Sequence, residues 1–512
     1  LEKAEEPLRP PGQHGVQVGH EEKGLFGEGP HLPEELQNAL DAHPLPQGLL
    51  AGPLDHRAVS QGIGVGEANL QKIGVAPETA VAAHLERSED AVIALLGILK
   101  SGGVYVPLDP AYPQDRLTYM LKDAQASVLI THRDLVIPAS SDIRVVRLDA
   151  DWDTISKEST PNPASRPMAE HPACVIYTSG STGNPKGVIL SYGALSRHCW
   201  DTIAHYGLSA QDRVLQFASL SFDQSIEQIL PTLIAGATVV MRGPNVWSPA
   251  EFNEKVKDLQ ITVANLPTDY WHQLTQNWHK SPESAPYDQL RLVFPGGDRV
   301  RPEIVRLWQQ SPMRATRLLN AYGPTETTVT ATTFEIYPDF DPSSNGIPIG
   351  RPLGNRKIYI LDKYGNPTPI GVPGELYIGG AGLARGYLHQ PELTAQKFVA
   401  DPFGDRAGAR LYKTGDLARY RPDGNIEFLG RMDQQVKIRG FRIELGEIET
   451  ALGAHPAIRQ VVVQAVEDDN KNKSLVAYIV PHKGVGITRA ELQSFLRDKL
   501  PEYMIPSSFM FL

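Results

Sequence analysis

Tyr177-Thr178-Ser179-Gly180-Ser181-Thr182-Gly183-Asn184-Pro185-Lys186-Gly187 is the stretch from which the rest of the chain is read. Four small hydroxyl residues, three glycines and one lysine follow an apolar run, Cys174-Val175-Ile176, that reads as a buried strand. Such a loop suits phosphate: glycines let backbone N–H groups turn inward, hydroxyls donate further hydrogen bonds, and Lys186 adds a point charge. A P-loop NTPase would place Gly directly before the lysine and Ser or Thr directly after it. Here Pro185 precedes Lys186 and Gly187 follows. Val188-Ile189-Leu190 reads as a second strand, so the spacing predicts a hairpin lying over a nucleotide. A Ser/Gly-rich flexible connector is the plain alternative, and the lysine and flanking strand argue against it.

With 512 residues, 41% of them apolar and 21% charged, the chain is globular and long enough for two or more domains. A net charge of −10 argues against general nucleic-acid or anionic-membrane binding. The two cysteines, Cys174 and Cys199, make no disulfide framework or metal-ligand spacing, which predicts a reducing, cytoplasmic setting. No apolar run reaches the roughly 18 residues of a membrane span. Residues 1–69 are rich in Gly and Pro, with Phe26 as their single aromatic, and are not expected to form a core. We expect them to derive from a frameshifted or misplaced start; an intact reading frame on both sides of Asn69 would sink that expectation.

From Ala80 strands and helices alternate, the rhythm of an α/β domain on largely parallel sheets, where ligands sit outside the carboxyl ends of strands. The loops at such ends carry the candidate chemistry. Asp223 is expected to end a strand over Phe217–Asp223, ahead of a helical pattern at Ile226, Ile229, Leu230 and Leu233; on its own it reads as a helix cap. Pro295-Gly296-Gly297-Asp298 ends Leu292-Val293-Phe294, and Asn320-Ala321-Tyr322-Gly323-Pro324-Thr325-Glu326-Thr327-Thr328 ends Leu318-Leu319. Tyr322 can stack on adenine, Thr325 can hydrogen-bond an α-phosphate, and Glu326 offers a hard oxygen to Mg²⁺. Asp416, in Tyr412-Lys413-Thr414-Gly415-Asp416, can accept two ribose hydroxyls at once. The span 150–170 reads as a surface connector.

These stretches, with Leu99–Pro110, Gly374–Tyr387, Gly430–Glu444 and Leu500–Phe509, resemble in order the motifs of nonribosomal peptide synthetase adenylation domains, within the adenylate-forming, AMP-binding superfamily. The resemblance covers about residues 70–512. It implies an α/β fold: a large domain at 70–430 of two α/β subdomains plus a β-rich one, a hinge at 431–433 centred on Asp433, and a small mobile α+β domain at 434–512. It also implies an ATP site in which Thr178, Ser179, Gly180, Ser181, Thr182, Gly183 and Lys186 handle phosphates, with Gly296, Tyr322, Gly323, Thr325, Asp416 and Arg431 around the nucleotide and Glu326 on Mg²⁺. Thr325, Glu326 and Lys186 are the implied catalytic residues. The residues from 434 to 444 would form a hairpin that enters the site when the small domain rotates.

The implied reaction joins an amino-acid carboxylate to AMP and then passes the aminoacyl group to the phosphopantetheine thiol of a carrier domain, with a condensation domain as a further partner in trans or in a longer parent chain. Asp223 would pair with the substrate ammonium. Gln224, Glu227, Asn265, Val293, Pro295, Ala321, Val329 and Thr330 would line the rest of the substrate pocket. Glu227 leaves two readings open, a polar or cationic substrate side chain or a carboxylate turned to solvent. The family's final lysine-bearing motif does not follow Phe509, so this chain is expected to bind ATP but to form acyl-AMP far more slowly than a longer one. Equal pyrophosphate-exchange rates would refute that role of the lysine. An acyl-CoA or aryl-acid ligase, and an inactive fragment that only binds nucleotide, are the alternative readings.

Overall fold

The apolar run before the phosphate loop becomes an inner strand of a seven-stranded sheet. The structure, a computed structural model, describes residues 64, 66–137, 143–158, 167–180, 183–342, 346–404, 406–433, 435–468 and 473–512. In the first sheet β1 (Ala80–His84), β2 (Val104–Leu108), β3 (Val128–Thr131), β4 (Arg144–Arg147) and β5 (Pro172–Thr178) run parallel. β6 (Lys186–Ser191) folds back on β5 as the expected antiparallel hairpin, with Thr178 opposite Lys186. Gly386–Tyr387 pairs on its outer edge, antiparallel to β6.

A second seven-stranded sheet has parallel strands β7 (Arg213–Gln216), β8 (Thr238–Met241), β9 (Val263–Pro267), β10 (Leu292–Gly296) and β11 (Arg317–Tyr322), extended by antiparallel β12 (Thr332–Ile336) and β13 (Arg351–Pro352). Helix Glu89–Lys100 is buried over ten of its twelve residues, as expected of a helix apolar on all sides. One core joins it to apolar residues of the first sheet and of helices Tyr192–Tyr206 and Asp223–Ile234. A separate core on the second sheet holds Trp271, Trp278 and Trp308, all essentially inaccessible. Strands between Arg356 and Arg431 form the third, antiparallel sheet.

The chain continues into hairpin Val436–Ile438/Phe441–Ile443 and a three-stranded sheet, Ile458–Glu467, Lys473–Pro481 and Ser508–Phe511, packed with helices Leu445–Gly453 and Arg489–Arg497. Ile438 and Ile443 belong to this last core, so the hairpin is built on the small domain.

Two expectations are corrected. β7 stops at Gln216, and Asp223 does not end a strand but is the first residue of helix Asp223–Ile234. Side chains replace the ladder there: Gln228 Oε1 accepts the N–H groups of Phe217 and Ala218 at 2.9 and 3.0 Å. The span 150–170 is also not wholly a connector, since Trp152–Ile155 is helical and Ile155 is buried. Residues 159–166 lie outside the described residues, as does the segment before Gly64. Both cysteines are buried thiols. No helix among the described residues is long and apolar enough to cross a membrane.

Candidate active site

The carboxyl ends of β5, β9, β10 and β11 converge on one cavity. It is lined by Thr178, Ser179, Asp223, Gln224, Asn265, Gly296, Ala321, Tyr322, Gly323, Thr325, Val329, Thr330, Asp416 and Arg431 among the residues singled out above, and by Gln435, Lys437, Gly440 and Arg442 of the small domain and its approach. Stretches far apart in the sequence thus meet. Lys186, Glu227, Val293, Pro295 and Glu326 are buried and do not line its wall. Ser181 and Thr182 lie outside the described residues.

Gly180 and Gly323 show why their turns need glycine. A Cβ on Gly180 would stand 2.0 Å from the Asn184 carbonyl oxygen, and one on Gly323 would stand 1.9 Å from that of Val329. The turn after Gly323 is itself strained, with Thr328 and Val329 both at positive φ, 57° and 61°.

At the nucleotide end, Tyr322 Oη donates to Asp416 Oδ2 at 2.5 Å, and Arg431 Nη1 to Asp416 Oδ1 at 2.8 Å. Arg431 also pairs with Asp433, its Nε at 2.6 Å from Oδ1. At the phosphate end Glu326 is wholly buried, accepting from Tyr387 Oη at 2.7 Å and Arg442 Nη1 at 2.8 Å. Burial opposes its ionisation, but Arg442 and Lys186 outweigh it and hold the carboxyl at about 2. Burial lowers the Lys186 ammonium to about 8, with Arg442 adding to the effect and Glu326 opposing it. Its Nζ sits 4.8 Å above the Tyr387 ring. Burial raises the Asp223 carboxyl to about 6, against a hydrogen bond from Thr325 and with help from Glu227.

The hairpin predicted to enter the site is seated in it. Gly440, at its tip, comes within 3.3 Å of where a Gly297 Cβ would stand, and Lys437 Nζ lies 5.5 Å over the Tyr322 ring. Ser179 Oγ donates to the Arg442 carbonyl at 2.9 Å. Phe441 stacks on Tyr503 at 4.0 Å and meets Phe222 edge-on, next to Asp223. Behind the hairpin, Glu447 Oε1 pairs with Arg116 at 2.6 Å and its Oε2 accepts the Gly180 N–H at 3.2 Å. Both side chains of that ion pair are almost fully buried.

Residues 68–388 match the AMP-binding enzyme family and residues 447–512 match the AMP-binding enzyme C-terminal domain. The chain belongs to the AMP-binding enzyme family. Among curated relatives it is 45% identical over 452 residues to a linear gramicidin synthase polypeptide of Brevibacillus parabrevis, covering 86% of this chain and 6% of that protein. It is 40% identical over 442 residues to gramicidin S synthase 2 of Aneurinibacillus migulanus, covering 86% and 10%. The chain therefore spans 6–10% of the length of these curated relatives. Among solved structures, NpsA-ThdA, an artificially fused adenylation-PCP di-domain nonribosomal peptide synthetase from Klebsiella oxytoca, superposes with a TM-score of 0.83 at 26% identity over 93% of each chain. The expected likeness to adenylation domains, and the fold it implied, are borne out.

For an AMP-binding enzyme several interacting groups went unread in the sequence. Tyr387 ends the stretch Gly374–Tyr387, to which the sequence assigned no role in the site, yet its hydroxyl holds Glu326. Arg442 was legible only as part of a charged hairpin. Arg116, Glu447, His198, Tyr206 and Arg356 gave no signal, because each acts through a partner distant in sequence. Of the two readings left open for Glu227, the carboxylate turned to solvent is corrected: the residue is 4% exposed and lies under the pocket floor rather than on the cavity wall.

Proposed function

We propose that the chain activates an amino acid with ATP as an aminoacyl-adenylate, and passes the aminoacyl group to the phosphopantetheine thiol of a carrier domain. The observation that carries the reading is the half-buried carboxylate of Asp223, lining the same cavity as Tyr322, Thr325 and Asp416. A partly desolvated carboxylate with no ion pair among the described residues is poorly placed until an ammonium meets it. Asp416 and Arg431 would orient the ribose end, Thr325 would donate to the α-phosphate, and Lys186 with the N–H groups of the 177–187 loop would hold the leaving phosphates. Arg431, Asp433 and the seated hairpin supply the pivot we assign between the two half-reactions, and residues 70–430 and 434–512 are the two bodies that would move. A cytoplasmic setting fits two reduced, buried cysteines.

Mg²⁺ fits the donors present. Among the described residues no cluster of three metal ligands exists, while Glu326 offers one ionised hard carboxylate at the phosphate end. That matches a cation held by one or two carboxylates and substrate phosphates. Glu326 would hold it once Arg442 withdraws, and the ion would neutralise phosphate charge.

Amino-acid-dependent exchange of pyrophosphate into ATP tests the proposal. Asp223→Ala should weaken amino-acid binding about 100-fold, by leaving a desolvated ammonium without its partner, and should spare ATP binding. An acyl-CoA or aryl-acid ligase would be indifferent to that change, and a chain that only binds nucleotide would give no exchange with any acid.

A further inference from the structure

One turn beyond Asp223 on the same helix, the Glu227 carboxylate is enclosed beneath the cavity floor and meets only donors. Its Oε1 accepts from Tyr206 Oη at 3.2 Å, Asn265 Nδ2 at 3.3 Å and Thr330 Oγ1 at 3.2 Å, and its Oε2 lies 2.7 Å from His198 Nε2. The other ring nitrogen, His198 Nδ1, lies 2.8 Å from Arg356 Nη2. A guanidinium has no acceptor, so Nδ1 accepts, and the single imidazole hydrogen is on Nε2, directed at Glu227. Arg356 Nη1 in turn lies 3.5 Å from Asp201 Oδ2, and Asp201 Oδ1 is 3.1 Å from Arg197 Nε. Burial keeps His198 neutral, so two carboxylates and two guanidiniums balance within the network.

The direction of these hydrogen bonds has a chemical consequence above the floor. Asn265 and Thr330 are both buried and both line the cavity. Thr330 has one hydroxyl hydrogen and gives it to Glu227, so toward the cavity its oxygen can only accept. Asn265 turns its amino group down to the same carboxylate, which leaves Oδ1 for the cavity side, where it accepts no hydrogen bond from the described residues. Ala321 and Val329 supply apolar walls. An alkyl side chain against this floor would leave a buried acceptor unpaired, and a carboxylate would meet oxygen lone pairs.

We propose that the floor selects an amino acid whose side chain ends in a hydrogen-bond donor, with Asn265 Oδ1 and Thr330 Oγ1 as its acceptors and Glu227 as the positioning residue that orients both. The inference rests on the reading of the site as an amino-acid-activating one. Uncharged donors, hydroxyl or carboxamide, and cationic donors share the chemistry, and the test separates them.

Calorimetry of the whole chain with aminoacyl-sulfamoyladenosines of paired side chains reads the selection without requiring turnover. The pairs are threonine with valine, glutamine with glutamate, and lysine with norleucine. The donor of at least one pair should bind about 10-fold or more tightly than its partner, and which pair responds identifies the uncharged or the cationic source. Tightest binding by an alkyl or carboxylate side chain would overturn the inference while leaving amino-acid activation standing. Tighter binding by an aryl-acyl analogue without an α-ammonium than by any aminoacyl one would instead overturn the activation reading. Glu227→Gln should shrink the donor preference about 10-fold with AMP affinity unchanged, whereas an equal loss for all analogues would make Glu227 structural and overturn its positioning role. Should that variant not fold, Thr330→Val carries the same expectation with one acceptor removed.

Discussion

The role proposed for Asp223 can be followed through its titration. Its carboxyl is raised to about 6, first by burial. Above that pH it is ionised and can pair with a substrate ammonium; below it the group is neutral and the pairing is lost. Amino-acid kcat/KM in the exchange assay should therefore fall about 10-fold per pH unit below 6, and Asp223→Asn should remove that limb along with most of the affinity. Lys186 titrates with the opposite sign: lowered to about 8 by burial, it loses its charge as pH rises, so ATP affinity should decline above pH 8 and Lys186→Met should abolish that decline. Lys186 could be singled out from its loop and Asp223 from the resemblance, and the structure places Asp223 on the cavity wall and Lys186 buried beside it. Glu227 could be seen but not understood, since its partners sit 29, 21, 38 and 103 residues away on other elements.

The strands were legible as apolar runs, and β5–β6 folds back where the sequence placed its turn. The failure came between Phe217 and Phe222, where the backbone leaves the sheet because Gln228 takes two of its N–H groups and Arg242 Nε and Nη2 donate to the Phe217 carbonyl. Periodicity carries no trace of a side chain substituting for a ladder partner. The turn at Gly323 gives a direct test of element geometry. Gly323→Ala would set a methyl group against the Val329 carbonyl and the Ala331 nitrogen, the latter at 2.6 Å. The strand end must move, and the variant should lose about 1–3 kcal/mol in urea unfolding together with most of its ATP affinity. A normal denaturation midpoint with normal binding would show that the turn has room to give.

Across the whole molecule, the small domain is held to helix Gln114–Asp123 of the large domain by charge buried at their contact. Arg116 and Glu447 lie 331 residues apart and meet at 2.6 Å with both side chains nearly inaccessible. Neither was visible as a partner in a chain read from one end to the other. Glu447→Ala would strand Arg116 without its counter-charge and should destabilise the seated arrangement by about 3–5 kcal/mol. Faster proteolysis in the 431–435 link, with the melting of the large domain unchanged, is the expected result; unchanged proteolysis would mean that the aromatic contacts of Phe222 with Phe441 and Tyr503 hold the domain without the ion pair.

The same carboxylate also accepts the Gly180 N–H, a donor of the loop to which phosphates are assigned. On the proposed function, a phosphate oxygen in the loop and the Glu447 carboxylate would compete for that one amide hydrogen, so a bound leaving group would weaken the seat of the small domain, and its departure would favour the second half of the proposed cycle.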